Sequence, residues 1–228
     1  MRSLLPVAHR QGIMELIRSR ATRCTTASAT FHPADVDALT AGEQCEWATL
    51  PTEERRADWL CGRVAAKRAV GEHLSIADLR RLALHRRDAA APACSDRVLG
   101  PLPVVLSIAH AHGHAVAAAA APRDRVGVDL EREGAVRAAY VRFFASCDER
   151  RRMRFIDATT HWVLKEAAWK AFRCPPRLPL TALELWCDAH RALCAISIAG
   201  TRHAARAWVA RPWPGFVAAV VLAPREVM

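Results

Sequence analysis

Several common features of protein sequences are scarce in this chain, and each scarcity argues against a class of protein. No apolar run approaches the roughly 18–20 residues that span a bilayer. The apolar segment from Leu4 to Ala8 is shorter than the core of a signal peptide. Aromatic residues make up only 6% of the chain, with one Tyr, so stacking platforms for nucleic acid are not evident. We therefore expect a cytoplasmic protein without a membrane or nucleic-acid partner.

The cysteines and histidines give no clear metal framework. The 8 cysteines include no C-x2-C pair, so neither a zinc framework nor, in a cytosolic chain, a disulfide scaffold is expected, and we expect them to be buried. His110, His112 and His114 alternate, which on a single strand would place three imidazoles on one face and favour zinc. Gly113 instead favours a hairpin turn that would scatter them.

Lysine is the scarcest charged residue. Of the 33 basic residues only Lys67, Lys165 and Lys170 are lysines, and two of these lie in one predicted helix. Where an ammonium persists in an arginine-rich chain, a compact and rotatable charge is favoured over a planar guanidinium, with chance retention as the alternative. The net charge of +10 favours an acidic partner or a phosphorylated ligand.

The order of predicted elements indicates an α+β protein with two similar halves. Residues 1–21 are poorly patterned and form a predicted N-terminal extension, in which Met14 is an alternative start. Residues 22–124 and 125–228 each contain helical patterns followed by antiparallel strands. We expect each half to hold a small, mainly antiparallel sheet and one packed long helix.

An acidic strand is predicted from Val126 to Glu131, which reads VGVDLE. Because side chains alternate along a strand, Asp129 and Glu131 share one face, roughly 7 Å apart along the backbone. Two such carboxylates suit a hard divalent cation such as Mg²⁺. The alternative is an edge strand with a solvated acidic face.

A helix predicted over residues 160–172 supplies the groups that complement this strand. Trp162, Glu166 and Lys170 are spaced by four residues and share one stripe of the helix. If Glu166 faces the strand, three carboxylates meet one cation and Lys170 reaches a phosphate. Otherwise Glu166 and Lys170 form an ordinary surface ion pair.

A second predicted helix, over residues 51–73, carries a basic face. Arg56, Arg63 and Lys67 are spaced seven and four residues apart and therefore share one side of the helix. Such a face is usually solvated, although it also suits the binding of phosphates.

The acidic strand and its helix together resemble the signature of the 4′-phosphopantetheinyl transferase superfamily, in the branch that activates surfactin synthetase (Sfp-type). Members combine a G-[IV]-D-[ILV]-E strand with a W-x2-K-E-A helix that carries a further lysine, and residues 126–131 and 162–170 follow this order. Weaker likenesses occur at Trp59 to Lys67, Gly100 to His110 and Phe143-Phe144. The resemblance covers roughly residues 40–175.

The resemblance implies an enzyme that transfers the 4′-phosphopantetheine arm of coenzyme A to a serine of an apo acyl or peptidyl carrier protein. The products would be the holo carrier and 3′,5′-ADP. Asp129, Glu131 and Glu166 would bind Mg²⁺, or Mn²⁺, on the pyrophosphate of coenzyme A. Glu166, Lys170 and Asp148 would be catalytic. The carrier would be acidic, which agrees with the net charge of +10.

The resemblance also implies where coenzyme A binds. The half formed by residues 22–124 would contact its phosphates, and the half formed by residues 125–228 would carry the metal and catalytic motifs. The two halves would be related by pseudo-two-fold symmetry within a monomer. The implied coenzyme A ligands are Arg56, Arg63, Lys67, His110, Lys165 and Lys170.

The sequence departs from the family pattern in two places. Ala109 replaces the second serine of an S-x-S-H motif, so one hydroxyl contact to coenzyme A is missing or replaced by backbone. The acid after Phe143-Phe144 falls on Asp148, with Glu149 beside it, where a glutamate is usual. The alternative function is a basic nucleic-acid-binding protein without catalysis, which rests on the net charge alone.

Overall fold

The computed structural model of the chain describes residues 7–8, 18–19, 22–85, 92–188 and 192–225. Its contacts divide the chain into two compact units, one of residues 14–122 and one of residues 1–13 together with 123–228. Both units combine helices with small, mainly antiparallel sheets, so the fold is of the α+β class. Most of the predicted extension, residues 1–21, lies outside the described residues.

The elements are numbered in chain order. The strands are β1 (Val7–Ala8), β2 (Arg18–Ser19), β3 (Thr22–Thr30), β4 (Leu82–His85), β5 (Ala93–Asp96), β6 (Gly100–Pro101), β7 (Val105–Ala111), β8 (His114–Ala120), β9 (Asp124–Arg132), β10 (Leu183–Cys187), β11 (Leu193–Ile198), β12 (Thr201–Ala204), β13 (Arg206–Ala210) and β14 (Phe216–Pro224). The α-helices are α1 (Ala41–Ala48), α2 (Glu53–Leu74), α3 (Val141–Phe144), α4 (Cys147–Arg152) and α5 (Ala158–Phe172). The 3-10 helices are Pro33–Ala38, Leu79–Arg81, Ala138–Tyr140 and Leu180–Ala182.

In the unit of residues 14–122, the long helix α2 packs on a four-stranded antiparallel sheet. The strand order is β2–β3–β8–β7, and a smaller sheet has the order β4–β5–β6. Helix α2 begins where the hydroxyl of Thr52 accepts a hydrogen bond from the amide of Arg55 at 3.2 Å. Glu53 and Glu54 in its first turn complement the positive end of the helix dipole. Apolar side chains of α2, β7 and β8 form the core of this unit.

In the unit that contains residues 123–228, helix α5 packs on β9 and β14. The sheet has the order β1–β13–β14–β9, with β1 parallel to β13 and the other pairs antiparallel. A smaller antiparallel sheet has the order β10–β11–β12. Asp157 caps α5, because its carboxylate accepts a hydrogen bond from the amide of Thr160 at 2.8 Å.

Most sequence-based expectations about these elements agree with the structure. The helices predicted over residues 51–73 and 160–172 are confirmed as α2 and α5 to within about two residues. The expectation of buried cysteines is wrong for Cys45, Cys147 and Cys194, which are exposed. Across the parts of the chain that the structure describes, no helix has both the length and the apolar character needed to cross a membrane.

Candidate functional site

The candidate site lies where α5 rests directly on β9. Gly127 lies at this contact, because a Cβ atom there would be 1.9 Å from the carbonyl oxygen of Ala167 and 2.5 Å from the amide nitrogen of Ala171. Only glycine permits such a close approach of two backbones. Since side chains alternate along a strand, the face of β9 that carries Gly127, Asp129 and Glu131 is the one turned toward α5.

A direct ion pair connects the strand to the helix. The Nζ atom of Lys170 donates a hydrogen bond to Oδ1 of Asp129 at 2.7 Å. Asp129 is buried, whereas 33% of the Lys170 side chain is exposed. Glu166 lies one turn before Lys170 on α5, and its charge interacts with both Asp129 and Lys170. The structure therefore brings Asp129, Glu166 and Lys170 together.

The carboxylates of this cluster are poorly compensated. Burial raises the pKa of Asp129, and Lys170 opposes the shift without cancelling it. Burial also raises the pKa of Glu166, and the neighbouring charge of Asp129 raises it further. When ionised, Asp129 and Glu166 interact with the ammonium of Lys170, and the charge of Glu131 acts on Asp129 as well. Negative charge is therefore in excess among these four groups. A divalent cation would neutralise that excess.

Glu131, the third predicted metal ligand, is half-buried, and its Oε1 atom accepts a hydrogen bond from the backbone amide of Arg132 at 2.9 Å. Among the described residues, no three His, Cys, Asp or Glu side chains lie close enough together to hold a metal ion. Asp129, Glu131 and Glu166 nevertheless fit Mg²⁺ by charge and donor type, because Mg²⁺ prefers carboxylate oxygens. To bind it, their side chains would have to move closer together.

A second ionic cluster on α5 is fully buried. The Nζ atom of Lys165 donates hydrogen bonds to Oε2 of Glu149 at 2.7 Å and to the carbonyl oxygen of Leu183. The Oε1 atom of Glu149 accepts the amide of Leu185 at 3.0 Å and lies 3.3 Å from Nε2 of His161. Burial alone would raise the pKa of Glu149, but His161 and Lys165 outweigh it and lower that pKa. A direct contact of Lys165 with coenzyme A, as predicted, would require this cluster to open.

Asp148, the predicted catalytic acid, lies on the outer side of the short helix α4. Its side chain is 71% exposed and pairs with Arg151 at 3.0 Å, whereas its neighbour Glu149 is buried. The hydroxyl of Ser146 caps α4 by accepting a hydrogen bond from the amide of Glu149 at 3.2 Å. Sequence reasoning missed the role of Glu149. The signal that could have found it is the serine followed three residues later by a glutamate, which is typical of a helix start.

The basic face predicted on α2 is not solvated at Lys67, which is a correction to that expectation. Lys67 is fully buried, with Nζ 2.5 Å from Oε2 of Glu43 and donating to the carbonyl oxygen of Ala38 at 2.8 Å. Burial lowers the pKa of Lys67, although Glu43 opposes the shift. The partner Glu43 was not identified from the sequence, although Thr40 and Glu43 form a capping box at the start of α1.

Two arginines of the same helix differ in how firmly they are held. Arg63 donates a hydrogen bond to the carbonyl oxygen of Leu84 at 2.6 Å, and its guanidinium lies 4.4 Å from the ring centroid of Trp59. A second nitrogen of Arg63 pairs with Glu46 at 3.4 Å. Arg56 makes one long hydrogen bond, of 3.4 Å, to a backbone carbonyl oxygen. Of these two predicted coenzyme A ligands, Arg56 is the less engaged by the fold.

His110 lies next to the hairpin between β7 and β8. Its Nδ1 atom is 3.7 Å from Oδ2 of Asp58, whose other oxygen accepts the amide of Gly113 at 2.6 Å. Half of the His110 side chain, 50%, is exposed. Ala111 pairs with His114 across the turn, so the predicted hairpin at Gly113 is confirmed. The alternating histidines are therefore divided between two strands and a turn.

The predicted site residues thus form separate groups within the two units. In the unit with residues 123–228, Asp129, Glu166 and Lys170 lie together, and Lys165 belongs to a different, buried cluster. No protein-family model matches the chain, and no curated protein matches it. A functional assignment therefore rests on these residues and their contacts.

Proposed function

We propose that the chain is a Mg²⁺-dependent 4′-phosphopantetheinyl transferase that converts an apo acyl or peptidyl carrier protein into its holo form. The observation that carries the proposal is the cluster of Asp129, Glu166 and Lys170. It holds two carboxylates with raised pKa beside one ammonium, within the two motifs that resemble the family signature. Such electrostatic strain is typical of a site that binds a cation or performs chemistry.

Asp129, Glu131 and Glu166 would hold the divalent cation, Mg²⁺ or alternatively Mn²⁺. When bound, the cation would supply positive charge to the pyrophosphate of coenzyme A. Lys170 would donate a hydrogen bond to the same pyrophosphate, because its side chain is partly exposed and Asp129 accepts only one of the hydrogen bonds that an ammonium can donate.

In the proposed reaction, a serine oxygen of the carrier forms a bond to the β-phosphorus of coenzyme A. The bond from that phosphorus to the bridging oxygen breaks, and 3′,5′-ADP leaves. Lys170 is the proposed proton donor to the leaving oxygen. The serine proton passes to a carboxylate, for which Asp148 stays the predicted candidate. Its exposed side chain is accessible to a partner protein.

The predicted coenzyme A ligands of the unit with residues 14–122 receive different support. His110 and Arg56 are partly exposed and lightly engaged, which supports a role in binding phosphate. Arg63 and Lys67 are held by acidic partners within their own unit. Each unit has one long helix packed on a four-stranded sheet, which supports the predicted likeness of the halves. Their pseudo-two-fold relation and the monomeric state stay predictions.

A mass-shift assay tests the proposal. The full chain is incubated with coenzyme A, Mg²⁺ and each of several acidic apo carrier proteins, and the carriers are weighed by mass spectrometry. We expect at least one carrier to gain the mass of the phosphopantetheine arm, and the gain to be lost in EDTA. If no carrier in the panel gains this mass while the protein is folded, the proposal is wrong.

Variants test whether the transfer activity depends on the cluster of Asp129, Glu166 and Lys170. Asp129→Asn and Glu166→Gln should each slow transfer by about a hundredfold or more, because each removes a charge that would hold the cation. Asp37→Asn and Glu72→Gln make the same chemical changes at exposed positions and should transfer normally.

Steeply salt-dependent DNA binding, without any binding of coenzyme A, would instead favour the nucleic-acid alternative.

A further inference from the structure

A cavity outside the proposed transferase site lies in the unit with residues 123–228. Its volume is about 620 Å³, within the range of roughly 300–1,000 Å³ that is usual for small-molecule sites. Apolar side chains line it, among them Val136, Val141, Met153 and Ile156. None of the predicted metal ligands or predicted catalytic residues is among the lining residues. The proposed transfer reaction therefore assigns no role to this cavity.

The acidic side chains that line the cavity already have partners. Glu133 accepts a hydrogen bond from Arg211, which also lines the cavity. Asp157 caps α5, and its two oxygens accept the amide and the hydroxyl of Thr160 at 2.8 and 2.6 Å. Arg211 thus balances the charge of Glu133, whereas Asp157 is bonded to neutral groups and balances one of the two remaining arginines of the lining.

Two of the three arginines of the lining are less engaged. Arg154 is exposed and makes no hydrogen bond or ion pair with any residue in the described part of the chain. Arg150 donates one hydrogen bond, of 3.0 Å, to the sulfur of Cys147. Both guanidiniums thus keep donors free for an anion, for which a planar fork of donors is well suited.

We propose that this cavity is a second ligand site, which binds a small amphipathic carboxylate. The hydrocarbon part would pack against Val136 and Val141, and the carboxylate would accept hydrogen bonds from Arg154, assisted by Arg150. An apolar wall favours burial of a chain or ring. The three arginines of the lining exceed its two acids by one positive charge, which favours a negative head group over a neutral or positive one. The inference does not depend on the proposed transfer reaction.

Titration of the full chain with decanoate, followed by calorimetry, tests this site without coenzyme A or a carrier. We expect saturable binding with one decanoate per chain. Decyltrimethylammonium, which has the same tail and the opposite charge, should bind at least about tenfold more weakly, since it lacks the charge-assisted hydrogen bonds. Acetate, which lacks the tail, should show no measurable binding. Equal binding of decanoate and decyltrimethylammonium would overturn the proposal.

Matched variants locate the binding. Arg154→Gln should weaken decanoate binding about tenfold, while Arg206→Gln, which removes the same charge from an exposed position on β13, should not. Ala138→Asp places an acid in the lining at an exposed position and should weaken binding by a similar factor. Its neighbour Ala139 is exposed but outside the lining, so Ala139→Asp is the control. Unchanged binding in both Arg154→Gln and Ala138→Asp, with circular dichroism unaltered, would show that the site is not here.

Discussion

Lys165 and Lys170 lie on the same helix, yet their surroundings have opposite electrostatic character. Lys165 is hydrogen-bonded to the carboxylate of Glu149, which is also bound by His161 and a backbone amide, and the pKa of Glu149 is lowered. Lys170 is the one ammonium beside Asp129 and Glu166, and the pKa of both acids is raised. The carboxylate beside Lys165 is therefore well compensated, although burial lowers the pKa of Lys165 itself, and the carboxylates beside Lys170 are not.

This difference separates a structural role from a functional one. A buried charge whose partners are all present contributes to the unique packing of a fold, and removing one partner leaves the other uncompensated. Buried acids that repel each other weaken the fold and persist where a ligand or reaction needs them. The comparison predicts opposite responses to neutralisation in the two clusters.

The largest effect is expected for Glu149→Ala. It leaves the ammonium of Lys165 buried without a carboxylate, and such losses cost about 3–5 kcal/mol of the free energy of unfolding. Urea denaturation of parent and variant would measure it. Asp148→Ala, at the exposed neighbouring position, should change the free energy by no more than about 0.5 kcal/mol. A larger loss in Asp148→Ala than in Glu149→Ala would reverse our assignment of the two acids.

A somewhat smaller loss is expected for Gly127→Ala. The new methyl group would overlap the backbone of α5 at Ala167, and overpacking of this kind costs about 1–3 kcal/mol or more. Because the helix must shift, Glu166 and Lys170 should also move from Asp129, and transfer activity should fall with stability. Gly42→Ala is the matched control, since a Cβ built there meets no described atom within 4 Å apart from its chain neighbours and the backbone of its own helix. An unchanged melting temperature in Gly127→Ala would contradict the close approach of α5 and β9.

The sequence was sufficient for the parts of the site that depend on local patterns. Alternation along Val126 to Glu131 predicted which side chains share a face, and the spacing of Glu166 and Lys170 predicted a common stripe on α5. The caps at Thr52 and Asp157 are likewise local signals. These features require only neighbours in the chain, so periodicity and helix capping reveal them.

The sequence was insufficient where a partner comes from a distant segment. The sequence did not indicate that Lys67 and Lys165 are buried against Glu43 and Glu149, and their role as coenzyme A ligands stays a prediction. Which acid meets a buried lysine is decided by the packing of whole elements, which periodicity does not specify. Asp148 and Glu149 show the same limit between adjacent residues. Neighbouring side chains of a helix point in different directions, and the sequence did not indicate which of these two points inward.

The two clusters should also respond to pH with opposite sign. The raised pKa of Glu166 means that its ionisation disfavours the folded state. The contribution of Glu166 to stability therefore falls as pH rises from below the ordinary glutamate value of 4.5 through the raised value. In EDTA, Glu166→Gln should therefore gain stability relative to the parent over this window.

The lowered pKa of Glu149 has the reverse consequence. Its ionised form stabilises the fold above the ordinary value of 4.5, and this contribution is lost as pH falls through the lowered value. Glu149→Gln should therefore lose stability relative to the parent as pH rises. Urea denaturation from about pH 3 to about pH 8, which spans the ordinary pKa values of Asp, Glu and His, would show both slopes. If the stability of Glu166→Gln and that of Glu149→Gln, each relative to the parent, changed with pH in the same direction, the contrast between the two clusters would be wrong.

The smallest effect is expected from adding Mg²⁺ to the protein alone. A cation that binds only the folded state stabilises it by about 0.4 kcal/mol when its free concentration equals Kd, and by about 1.4 kcal/mol at ten times Kd. For a chain of this size the first value corresponds to a rise in Tm of about 1–2 °C. Glu166→Gln should abolish the rise, whereas Glu72→Gln, at an exposed position, should preserve it. The same rise in Glu166→Gln as in the parent would place Mg²⁺ elsewhere and leave the excess charge beside Lys170 without its proposed partner.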